Sequence, residues 1–319
     1  MDLIQELEQK YGYSKEILEV LDKIIPAMKE YYGKGSESLI DEAILNCEIH
    51  VKGEKEDEAK FLQDFFGDKN EKKTPVQATA YYSSKLVKTD DGLKPKRLIY
   101  IKSGEDLKTD KHIATLVHEI CHLVKGYRNE FTVDGNSVIK RTGIGREIYQ
   151  IDENGNMVMT ESENDGIEEA LNIYDEEQIT SLILGREYFS GNYPDIANVT
   201  RKVMQNPRYK NAFRDALMSG NRRDLKGISE EEFDRIDNMY NNIYSTYFPS
   251  WKEIMTKEGR ESIKARRQEN IERLRQETSK EERTDNLIAS LQGLVKDEMD
   301  LSSQTRPEDK QIEDKQYGE

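Results

Sequence analysis

The chemistry this chain is built for is concentrated in five residues, His118-Glu119-Ile120-Cys121-His122. A helix advances about 100° per residue, so His118 and His122 project from one face, one turn apart. Two imidazoles held that way can ligate one divalent ion, typically zinc. Glu119 lies beside the first of them, where a carboxylate can act as general base toward a water on that ion. The spacing suits metal-dependent hydrolysis, with a peptide bond as the expected target. Chance is a poor explanation, because the chain has only four histidines: His50, His112, His118 and His122.

The flanks sharpen the reading. Ile113-Ala114-Thr115-Leu116-Val117 leads in and Leu123-Val124 follows, with Glu119 the only charge between Ile113 and Val124. A segment apolar on nearly every face is a buried helix, and burying two histidines and a carboxylate is costly unless each is satisfied. One metal ion would satisfy all three. The plainer alternative is a core helix whose histidines bond backbone carbonyls. A closed structural zinc site would usually recruit cysteines. Only Cys47 and Cys121 exist, and Cys121 points about 100° away from His122.

The stretch Thr115-Leu116-Val117-His118-Glu119-Ile120-Cys121-His122-Leu123-Val124 resembles the extended motif of the zincin metallopeptidases. The resemblance is confined to this helix. It implies a third protein ligand and an open water position. Metzincins place a glycine three residues after the second histidine and another ligand six after. Here Lys125 and Arg128 stand at those positions, and no histidine follows His122. The resemblance therefore points to the gluzincins, whose third ligand is a glutamate on a later helix. Gly166-Ile167-Glu168-Glu169-Ala170-Leu171-Asn172 is similar to the Gly-Leu-Asn-Glu-Ala/Gly segment of gluzincin-like bacterial proteins. That register makes Glu169 the expected ligand. Glu168 is the rival, because Asn172 would then sit four residues on, where thermolysin-like enzymes keep a second carboxylate. Glu176 and Glu177 are weaker candidates. Family members also use a tyrosine, histidine or arginine to stabilise the oxyanion, and Tyr127, Tyr149, Tyr174 and Tyr240 are available for that role.

The segments around the motif read as a mixed α+β arrangement. Ile17, Leu18, Leu21, Ile24 and Ile25 recur at helical spacing near the N-terminus. Cys47-Glu48-Ile49-His50-Val51 reads as a short strand, with His50 structural. Gln77 to Tyr82 and Arg97 to Ile101 read as paired strands linked across Asp90-Asp91-Gly92-Leu93. Thr109 or Asp110 would cap the motif helix and Gly126 would end it. Between His122 and Glu169 the sequence predicts two hairpins. The first joins Glu130–Val133 to Val138-Ile139 through Asp134-Gly135-Asn136-Ser137, with Asp134-Gly135 supplying turn chemistry, and the second joins Arg146–Ile151 to Met157–Met159 across Asn154-Gly155. Gly166 would open a helix running to about Leu184. From about Tyr193 to Met299 the pattern is helical, with Tyr240, Tyr244 and Tyr247 on an aromatic stripe expected to pack in the core.

At 319 residues the chain is long enough for a real core, though 35% apolar and 35% charged residues are lean for one. The formal charge of −15 opposes general nucleic-acid binding. No apolar run approaches membrane-spanning length, and Met1–Glu6 lacks the features of a signal peptide, so cytoplasmic residence is expected.

The resulting expectation is a helical region over 1–70, a zincin-like α+β catalytic domain over 71–190, a helical subdomain over 191–300 and a polar, disordered tail over 301–319. One Zn2+ would sit on His118, His122 and Glu169, with Glu119 as general base and a peptide or protein as substrate. Two alternatives stay open: a regulatory or partner-binding protein on the same fold, and a helical scaffold with a structural metal.

Overall fold

Thr109 stops the backbone in an extended conformation, and its hydroxyl accepts the His112 N–H, so the apolar run beyond it winds into α5 (Asp110–Val124). Ile113, Leu116, Val117, Ile120, Leu123 and Val124 are all buried on this helix. In a computed structural model the described residues are 2–66, 79–90, 92–102, 106–151, 157–163, 165–220, 225, 227–247 and 256–276. The predicted hairpin tip at Asn154-Gly155 and the tail over 301–319 lie outside them.

Three N-terminal helices, α1 (Leu3–Tyr11), α2 (Lys15–Tyr32) and α3 (Glu37–Leu45), share one apolar core with α5. Leu21, Ile24 and Met28 of α2 and Ile40 and Ile44 of α3 meet Val117, Ile120 and Cys121 there. A three-stranded sheet lies beside α5 in the order β1 (Glu48–Val51), β3 (Gly92–Ile101), β2 (Ala80–Thr89). β1 runs parallel to β3, and β2 and β3 form a long antiparallel hairpin from Ala80↔Ile101 to Thr89↔Gly92. Strand alternation divides β3 cleanly. Ile99 and Ile101 join the α5 core, while Leu98 and Tyr100 pack with Leu62 and Phe66 of α4 (Glu58–Phe66).

The segment after α5 differs from the sequence expectation in one respect. Its two hairpins belong to a single meander, β4 (Phe131–Asp134), β5 (Ser137–Thr142), β6 (Gly145–Ile151) and β7 (Met157–Glu163). The first turn is centred on Gly135-Asn136, inside the expected Asp134–Ser137 segment, with Asp134 paired to Ser137. The join between the hairpins is a tight turn at Gly143-Ile144, flanked by the Thr142↔Gly145 pair.

α6 (Asp165–Leu184) follows, then α7 (Pro194–Val203), α8 (Pro207–Ser219) and α9 (Glu230–Tyr244). Gly166 lies inside the first turn of α6 rather than before it. Its N–H donates to Asn241 Oδ1 of α9, and a Cβ there would collide with Asn241. The glycine thus serves a close helix–helix approach.

The architecture is mixed α+β. The chain divides into two compact units, Met1–Ile271 and Glu272–Glu319, and all the elements above lie in the first. Among the described residues no helix is long and apolar enough to cross a membrane.

Candidate metal centre

α5 and α6 pack against one another and bring His118, His122 and Glu169 together. One ligand atom from each lies within 4.8 Å of the others, so the three could hold a metal ion. Glu169 spans the two rings: Oε1 is 3.3 Å from His118 Nε2 and Oε2 is 3.4 Å from His122 Nε2. Two imidazole nitrogens and a carboxylate facing one point are a donor set suited to zinc. The rings stand edge to face, 4.9 Å apart.

The other nitrogen of His118 is also held. Its Nδ1 lies 2.9 Å from Glu176 Oε2, seven residues beyond Glu169 on the same face of α6. A carboxylate on the far nitrogen fixes ring orientation and leaves Nε2 to serve as ligand. Asn172 donates to the His118 carbonyl at 2.9 Å, tying the helices together at the same level. His122 Nδ1 is buried with no partner among the described residues.

Glu168 does something different. Its Oε2 accepts the Ile144 N–H at 3.0 Å, and its carboxyl fills the space over Gly143. It closes the β5–β6 turn and is not part of the metal cluster. Glu177 is bound by Arg201 at 2.5 Å and by the Ser190 N–H.

Glu119 is buried beside His118, and its Oε2 accepts the Tyr82 N–H of β2 at 2.7 Å. Burial pushes its carboxyl up to about 7, with the neighbouring His118 opposing. Burial likewise pushes Glu168 up to about 7 against the pull of Lys125. Glu169 moves the other way: burial alone would raise it, but the two imidazoles hold it well below the usual carboxylate range. Burial would depress His118, yet Glu169 and Glu176 raise it well above an ordinary histidine. His122 is lowered by burial.

These groups sit in a cleft of about 900 Å3 between the start of β2, the exposed face of α5, the β5–β6 region and the loop before α7. Its aromatic wall is Tyr193, Tyr244 and Tyr247, with Tyr193 edge-on to both others at 5.6 and 4.8 Å. The expected aromatic stripe is therefore split. Tyr240 is fully buried, whereas Tyr244 and Tyr247 are half-buried on the cleft side.

None of the four tyrosines considered for the oxyanion role lines the cleft. Tyr127 packs under the Arg97 guanidinium, Tyr149 donates to Glu147, Tyr174 is a half-buried residue of α6 and Tyr240 is core. Tyr193 was not singled out by its sequence. It holds a left-handed backbone (φ 42°, ψ 59°) at the start of α7, an uncommon state for a bulky residue. Burial raises its phenol, and the Glu169 charge adds to that rise. Its only sequence signal is a tyrosine just before the Pro194 that opens the helix.

Compared with protein-family models, curated proteins and solved structures, the chain has no match.

Proposed function

We propose that this protein is a zinc-dependent hydrolase with a zincin-like, gluzincin-type centre, and that it cleaves peptide bonds. His118, His122 and Glu169 would hold one Zn2+, and Glu119 would be the general base. The observation that carries the proposal is the meeting of those three ligand groups in a cleft, with a buried carboxylate beside them. A divalent ion there would acidify a water molecule and polarise a carbonyl.

The protein's own groups have separable tasks in this reading. Glu119 takes a proton from the attacking water and passes it to the leaving amine. The Tyr82 N–H fixes one of its oxygens and so sets the direction of the carboxylate. Glu176 orients His118. Tyr193, strained in its backbone and packed edge to face with two tyrosine rings, donates its hydroxyl hydrogen to the oxygen that gains charge in the transition state.

Metal content and peptide hydrolysis are to be measured in the wild type and in Glu119→Gln. Bound zinc in both, with hydrolysis only in the wild type, is the expected result. Wild-type protein that binds no metal sinks the proposal. Bound zinc without hydrolysis in either protein favours a regulatory, non-catalytic role on the same fold.

A further inference from the structure

The cleft places a cation beside the metal ligands of a strongly acidic molecule. The chain carries −15 overall. Each described carboxylate of the cleft wall is nonetheless held by the protein through at least one oxygen. Glu119 is held by the Tyr82 N–H, Glu169 by two imidazoles and Glu168 by the Ile144 N–H. Glu147 is held by Lys140 at 3.1 Å and by the Tyr149 hydroxyl.

Lys111 stands apart from these. It is an exposed residue of the first turn of α5, it lines the same cleft, and it has no ion-pair partner among the described residues. The acid next to it in sequence, Asp110, is taken by Arg186. Lys111, Thr115, His118 and His122 follow one another at spacings of four, three and four, so they form one stripe along the helix. Two turns separate Lys111 from His118, about 10 Å along the axis. An extended peptide covers that distance in about three residues.

A second cation lies past the metal ligands. The β5–β6 turn bonds to the C-terminal end of α5 through the Gly143 N–H and the Lys125 carbonyl. Arg146, just after that turn, also lines the cleft, with Arg141 opposite it on β5 and Glu163 opposite it on β7. Lys111 is therefore the simpler determinant of the two.

We infer that the cleft takes an acidic polypeptide segment, and that Lys111 pairs with a substrate carboxylate about three residues from the reacting bond. This rests on the hydrolase reading for the meaning of "reacting bond", but binding can be measured without turnover. The local ion pair adds affinity for an acidic partner, and the −15 charge of the chain disfavours binding of that partner elsewhere on the surface.

The test uses the full-length, zinc-loaded Glu119→Gln protein and matched fluorescent alanine-based peptides carrying glutamate, glutamine or lysine, each with a free or an amidated C-terminus. Anisotropy at low salt should show the glutamate peptide binding about fivefold tighter than the glutamine one, the scale of one exposed ion pair, and the lysine peptide weakest. Added salt should shrink the difference. Lys111→Glu on the same background should reverse the order while retaining zinc. A glutamate-over-glutamine preference that persists in the amidated peptides assigns the carboxylate to a side chain, and tighter binding of the free than of the amidated glutamine peptide assigns it to the chain terminus. Equal binding of the glutamate and lysine peptides, or an order unchanged by Lys111→Glu, overturns the inference. Failure of the wild type to cut any peptide counts against the hydrolase reading and leaves this binding result standing.

Discussion

Glu168 and Glu169 are neighbours on α6 whose side chains diverge by about 100°, and the divergence separates a structural task from a ligand task. Glu169 turns to His118 and His122, and Glu168 turns to the Ile144 N–H. Glu169→Ala should therefore abolish tight metal binding, read by competition with a chelating dye. Glu168→Ala should keep the metal affinity and lose about 1–3 kcal/mol of stability, the cost of leaving a buried N–H without its acceptor. The reverse pattern would reassign the ligand. Both carboxylates were visible in the sequence, but the choice rested on a register borrowed from other proteins. What decides it physically is where the β5–β6 turn lies. Tyr193 was less legible still, since its role depends on a strained backbone and on two rings from around the end of α9. Tyr193→Phe removes only the hydroxyl and should lower kcat by about a hundredfold with zinc content unchanged. An unchanged kcat would remove Tyr193 from the mechanism.

At the scale of elements, the hairpins could be read because alternation and turn residues are local signals, and α5 could be read because its cap and its apolar run are contiguous. The joining of the hairpins into one sheet could not, because the turn at Gly143-Ile144 is completed by Glu168, more than twenty residues away. Gly143 has φ 58°, and a Cβ there would strike the Glu168 carboxyl. Gly143→Ala should cost about 1–3 kcal/mol in denaturant unfolding from backbone strain, with a further loss from displacing Glu168. A neutral result would mean that the turn relaxes freely. A second clip tests the three-stranded sheet. Glu56 bonds His50 of β1 at 2.8 Å and accepts the Tyr100 hydroxyl of β3 at 2.6 Å. Burial would raise its carboxyl, but these two partners outweigh burial and lower it. A group with a depressed folded pKa stabilises the fold above its unfolded value of about 4.3 and loses that contribution as pH falls through the folded value. Glu56→Gln should thus be less stable than wild type at neutral pH, and the gap should close in acid. A gap independent of pH would assign the loss to packing rather than to charge.

Across the whole molecule, the site is welded to the N-terminal helices by polar as well as apolar contacts. Asp175 of α6 accepts the Tyr31 and Tyr32 hydroxyls of α2 at 2.6 and 2.9 Å and pairs with Lys125, whose side chain is fully buried, at 2.9 Å. Lys125 also donates to Asn172, which in turn holds the His118 carbonyl. A chain with as many charged as apolar residues thereby uses polar groups inside its core as well as on its surface. Such a pair is costly to break singly, because the surviving charge stays buried, so Lys125→Ala should lose about 3 kcal/mol or more. The combined Lys125→Met, Asp175→Asn variant should lose less than the sum of the single changes. The apolar side of the argument is stricter. Val117, Ile120 and Cys121 are buried in the core that they share with Leu21, Ile24 and Met28 of α2 and Ile40 and Ile44 of α3. A fragment of residues 71–190 keeps His118, His122 and Glu169 but exposes that face of α5 to water and leaves Asp175 without the Tyr31 and Tyr32 hydroxyls. We expect the fragment to show no cooperative thermal transition and no stoichiometric zinc, while the full chain shows both. A fragment that unfolds cooperatively and binds one zinc would mean that α1 to α3 are dispensable to the site.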